Sequence, residues 1–112
     1  MKTYVFGTSQ LDLKYDDNKL RDIIKDYLKQ KRKTSYIALC NYITSESDNN
    51  NMFVKDENTI YSNLELSEKE HERINLILWN LIWERHLMIN FRVPLFGSHY
   101  NNDTYFIYIA EK

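Results

Sequence analysis

His71, His86, His99 and Cys40 are the residues whose types could ligate a metal or pair a nucleophile with a base. A structural zinc site draws its ligands from short, paired spacings, and these four positions show none. His71 stands at helical spacing from Glu68 and Glu72, an arrangement that a solvated helix start accounts for. Asp16 and Asp17 are adjacent and suit capping a helix better than sharing a proton. Gly7 and Gly97 are isolated, so no glycine-rich loop offers its amides to a phosphate. No serine or cysteine sits in the frame of an activated nucleophile. These residues predict a non-enzymatic protein, with no catalytic residues, no metal, no cofactor and no small-molecule substrate.

Binding is the chemistry that remains, and two stretches offer it. The first is KQKRK, where Lys29, Lys31, Arg32 and Lys33 form a compact basic cluster. At the end of a helix such charges gain from the dipole, and they equally suit phosphate contact. Arg92 joins them as the candidate nucleic-acid contact set, with His99 and Tyr100 nearby in sequence. The second is SEKEHERINLILWNLIWERHL, residues 67–87. Read at about 100° per residue, Ile74, Ile77, Leu78, Leu81 and Ile82 cover one broad face. Leu76, Trp79 and Trp83 make a second stripe, roughly opposite. A helix with one core face does not need that second stripe. Either the protein's own chain covers it, with the N-terminal arm the best internal candidate, or it meets a partner or a second copy. Glu68 and Glu72 at the acidic start extend the candidate protein-binding set.

Charge is segmented along the chain. Residues 1–33 hold nine Lys and Arg against five Asp and Glu, whereas residues 34–72 hold two against eight. The net charge of −1 therefore excludes a general polyanion binder but not a local one. Frequent Asn, Lys, Ile and Tyr resemble the usage of AT-rich genomes, including low-GC bacteria, their phages and mobile elements.

The elements that position these residues follow from periodicity. Thr3–Phe6 reads as a short strand, and Leu11, Leu13 and Tyr15 alternate with polar residues as an extended arm. Leu20, Ile23, Ile24, Tyr27 and Leu28 recur at helical spacing, predicting an amphipathic helix over residues 18–31. Thr34 or Ser35 starts a second, short helix with Tyr36, Leu39, Cys40 and Ile43 on one face. Polar TSESDNNN opens a loop, and MFV and TIY around KDEN suggest a small hairpin or an irregular segment. Ser67 and Glu70 have the spacing of a capping box at the start of the third helix. MINFRVPLF and TYFIYIA then read as two strands of a hairpin around GSHYNND, with Pro94 marking an edge or bulge.

Helix, short helix, long helix and two-stranded hairpin, over roughly residues 18–110, resemble the winged-helix family in the order of their elements. The expected fold class is therefore α+β and winged-helix-like. It has three helices followed by a two-stranded β-hairpin, an N-terminal arm over residues 1–16 and an insertion loop over residues 44–66. The resemblance implies DNA as a partner, with residues 67–87 entering the groove and the hairpin as the wing. Glu68, Glu70 and Glu72 oppose that docking mode, because carboxylates beside phosphates cost affinity.

At 112 residues and 43% hydrophobic content, one globular domain over residues 1–112 is expected. One cysteine permits no intrachain disulfide, and the start of the chain lacks the apolar core of a signal peptide, so a cytoplasmic protein is expected. The uncharged run at residues 74–83 is too short to cross a membrane. The function expected is an accessory or regulatory protein of DNA metabolism, encoded by a phage or mobile element. It would contact DNA through the basic cluster and hairpin. The alternative is an adaptor or inhibitor that binds a DNA-processing protein through an acidic face or the Trp stripe.

Overall fold

The computed structural model describes residues 2–90 and 105–109. Asp16 caps the first helix, α1 (Asp17–Lys31), its carboxylate accepting the Lys19 amide at 2.7 Å. Ser35 does the same for α2 (Tyr36–Asn49), and Ser67 for α3 (Glu68–Trp83). All three helices end at or beside a residue with positive φ: α1 stops on Arg32 at φ 60°, and α2 and α3 stop just before one. Asn51 at φ 56° and Arg85 at φ 63° turn the chain back. The amides two residues beyond the α2 and α3 caps then reach the last turn, Met52 N to Ser47 O and His86 N to Leu81 O.

The strands form two separate sheets. In the first, β1 (Thr3–Leu11) pairs in parallel with β3 (Thr59–Leu66), Thr3 opposite Thr59 and Leu11 opposite Leu66. Its register shifts between Val5 and Thr8, where Gly7 takes φ +87° without strain. The Ser62 hydroxyl secures that bulge by donating to the carbonyls of Val5 and Gly7 at 3.1 and 3.0 Å. In the second sheet, β5 (Tyr105–Tyr108) lies between β2 (Lys33–Ser35) and β4 (Leu87–Asn90), antiparallel to both.

One apolar cluster joins all three helices to this second sheet. α1 contributes Leu20, Ile24, Tyr27 and Leu28, and α2 contributes Tyr36, Leu39, Cys40 and Ile43. α3 contributes Ile74, Ile77, Leu78 and Leu81, and Phe106 is sealed within the cluster from β5. Leu13 bridges to Phe53, which carries the exit of β1 into the same core.

This architecture corrects the fold expected from sequence. The chain is α+β, but it is not three helices followed by a two-stranded hairpin. Among the described residues it alternates β1, α1, β2, α2, β3, α3, β4 and β5, with five strands in two sheets. β2 is three residues long and exists only through its ladder to β5, so no periodicity announces it. The expected insertion loop at residues 44–66 is also corrected. α2 runs on through TSESDN because Ser47 is buried and Thr44 turns its hydroxyl onto the Cys40 carbonyl at 2.8 Å. Thr59–Leu66 is a strand whose partner is β1, not a neighbouring hairpin arm. Arg92, Pro94 and the whole expected loop GSHYNND, with His99 and Tyr100, lie outside the described residues.

Candidate protein-interaction surface

The inner face of α3 is sealed, and its outer face is not. Leu76 is 62% exposed, Trp79 40% and Trp83 80%, at positions one helical face shares. The N-terminal arm does not cover them, because its strand is committed to β3. Glu68 and Glu72 are exposed toward the start of the same outer face. The acidic start and the Trp stripe are thus two ends of one surface, where the sequence offered them as alternatives.

A network of hydrogen bonds anchors the first turns of this helix. Glu70 is fully buried, and Arg73 Nη1 donates to both of its carboxylate oxygens at 2.7 Å. Arg73 Nε donates to Asp17 Oδ1 at 2.9 Å, and Nη2 to the Tyr15 carbonyl at 2.7 Å. One guanidinium therefore ties the start of α1, the end of the arm and the first turns of α3. Burial works against the Arg73 charge, but the bonds to Glu70 and Asp17 outweigh it and raise its pKa above the ordinary value. The capping box is only half made. Ser67 Oγ accepts the Glu70 amide at 3.4 Å, while the Ser67 amide donates to Leu11 O at 3.1 Å, and the Glu70 carboxylate is held by Arg73. At the other end Arg21 pairs with Glu84, linking α1 to the exit of α3.

The basic cluster straddles two elements. Lys29 and Lys31 sit in the last turn of α1, Arg32 caps it at φ 60°, and Lys33 begins β2. All four are exposed, and the Arg32 carbonyl accepts the Tyr108 amide at 2.7 Å, which seats the cluster against β5. Lys33 Nζ lies 5.5 Å from the Tyr105 ring centroid and Lys31 Nζ 6.0 Å from that of Tyr27. Arg92, the fifth member expected, lies outside the described residues.

Cys40 and His71, read from sequence as unrelated, meet. Tyr36 Oη is 2.9 Å and Cys40 Sγ 3.9 Å from His71 Nδ1, at the contact of α2 with α3. Burial pushes the thiol up to about 12, only partly opposed by a hydrogen bond from Tyr36. A thiol held protonated is a poor nucleophile. His71 is therefore not part of a simply solvated helix start; it is half-buried, and its partners come from a helix more than thirty residues away. No family model, curated protein or solved structure matches the chain.

Two open hollows are lined by residues other than those of α3. One, of about 460 Å³, lies between α2 and β3, and in it Lys55 is ion-paired to Asp48 at 3.1 Å. The other, of about 430 Å³, is bordered by Tyr15, Ile23, Asp26, Tyr42 and Glu46. Among the described residues no group of three or more His, Cys, Asp and Glu is arranged to hold a metal ion. No helix among them is long and apolar enough to cross a membrane.

Proposed function

We propose that the chain is a non-enzymatic interaction protein that docks onto a partner through the outer face of α3. The observation that carries this reading is the exposure of Leu76, Trp79 and Trp83 on a helix whose opposite face is fully buried. Large apolar side chains presented together on a rigid helix are the usual anchors of helix-in-groove recognition. Burying each would stabilise a complex by about 2 kcal/mol. Glu68 and Glu72 select a groove with a basic rim, which is the surface a DNA-processing enzyme presents to its substrate. The protein would then act as an adaptor or inhibitor of such an enzyme, in the setting of a phage or mobile element. Affinity capture from host cells should retain a defined partner with the wild-type chain and lose it with Leu76→Ala/Trp83→Ala. Equal recovery on both would remove this surface from the function.

Direct DNA contact is the second reading. Its support is the clustering of Lys29, Lys31, Arg32 and Lys33, all exposed, at the α1–β2 junction; Arg92 is the fifth residue of this set. Fluorescence anisotropy with duplex and single-stranded DNA should show binding that weakens steeply with salt, with a log–log slope near −0.9 per phosphate contacted on duplex. Lys31→Ala/Lys33→Ala should flatten that slope by about two contacts' worth. Absence of salt-sensitive binding at micromolar protein would leave the α3 surface as the sole reading.

A further inference from the structure

Among the described residues, β1 has one edge open, and its one ladder partner is β3. The Thr3 amide donates to Asn58 O and the Leu11 carbonyl accepts from Ser67 N, so these two residues turn their backbone polar groups toward β3. Alternation then directs the amides and carbonyls of their neighbours Tyr4 and Gln10 to the opposite, open side. Natural edge strands are usually blunted by lysine, proline, inward-pointing charge or a β-bulge, and of these β1 has only the bulge at Gly7. From Thr3 to Leu11 this one carries neither a charged residue nor a proline. Tyr4 is 64% and Phe6 87% exposed, and Ile60, the register partner of Tyr4, is exposed beside them. A two-stranded parallel ribbon open to solvent on this scale is an incomplete sheet, since parallel pairs are ordinarily covered and stable sheets have three or more strands.

The geometry points to a second copy of this chain as the occupant, with β1 pairing antiparallel to β1 of the partner about a two-fold axis. The charge pattern favours self-pairing. In a two-fold contact residue i meets residue j and j meets i, so the uncharged strand meets its copy without like-charge repulsion, and Lys2 and Asp12, which flank it, fall opposite each other across the two copies. A foreign strand selected by charge would have nothing on this edge to read. The product is a four-stranded sheet, β3–β1–β1–β3; paired over its whole length, β1 sets Tyr4 opposite Gln10 and Phe6 opposite Thr8 of the copy, with the two Phe6 rings diagonal neighbours within cross-strand reach. This dimer uses a different element from the α3 surface and leaves that face open in both copies.

Sedimentation and light scattering of the full chain, from micromolar to millimolar protein, test the assignment. The wild type should move from 13.6 kDa toward twice that mass as concentration rises. Phe6→Lys places like charges at the contact, and Gln10→Pro removes an outward amide. Each should raise the dimer dissociation constant by about tenfold or more while leaving the circular dichroism spectrum and thermal midpoint near wild type. If Gln10→Pro fails to fold, Phe6→Lys is read alone. Trp83→Ala should leave the dimer intact. A wild type that stays monomeric throughout, or a dimer that survives Phe6→Lys, would overturn the proposal, as would a dimer lost with Trp83→Ala.

Discussion

Arg73 holds together three segments that are far apart in the chain, and the cost of losing it is set by what it would leave behind. Glu70 is fully buried, so Arg73→Ala strands a carboxylate without its counter-ion. Breaking a buried pair from one side costs about 3–5 kcal/mol, and urea unfolding should show a loss of that order. Cys40 makes a second prediction at this scale. Its pKa stands at about 12 in the folded protein against an ordinary value of 9.0. The folded state therefore holds the proton more tightly than the unfolded chain. This contribution to stability is fully present below pH 9 and is withdrawn as pH rises toward 12. Cys40→Ala should remove that part of the alkaline loss, seen as a shallower fall of the urea midpoint with pH. Iodoacetamide should label the native thiol slowly at neutral pH and rapidly once urea is added.

The two faces of α3 separate stability from recognition. Leu78 is fully buried and Trp83 largely exposed, five residues apart on one helix. Leu78→Ala should cost about 2–5 kcal/mol through the lost contacts and the cavity left behind. Trp83→Ala should change the thermal midpoint by no more than an exposed substitution does, about 0.5 kcal/mol or less, although tryptophan is the larger side chain. Paired thermal melts decide this, and equal losses would mean that the outer stripe is part of the core. Much of this helix was legible in the sequence. The apolar spacing identified its buried face, and Ser67 marked its start. Whether the second stripe was covered was not legible, because that depended on where the N-terminal arm went. The arm's destination rests on a parallel pairing with Thr59–Leu66, and such a contact leaves no local pattern in either strand. β2 was hidden for a related reason, since Lys33–Ser35 is too short to show alternation and draws its regularity from Ile107, Phe106 and Tyr105. The end of α2 was misread because burial of Ser47 overrides the loop preference of a polar run. For the site, the Trp stripe and the basic cluster could be named from spacing and charge. The meeting of Cys40 with His71 could not, because it joins two helices that sequence alone does not dock.

At the scale of the molecule, the parallel ribbon sets the order in which the chain can assemble. Thr3 leaves the ribosome before its partner Thr59, which follows only after α1, β2 and α2 have emerged. Closing so long a loop is entropically unfavourable until the intervening helices have condensed and shortened it. This topology predicts that β1 is woven in late, after the body it belongs to. In refolding experiments, Val5→Ala should accelerate unfolding and leave the folding rate nearly unchanged, whereas Leu39→Ala in the helical body should slow folding. During synthesis an uncharged nine-residue strand waits in solution for its partner. That interval, rather than the finished structure, is when the protein is most exposed to pairing with the wrong chain, and a cell crowded with nascent copies would experience it as aggregation.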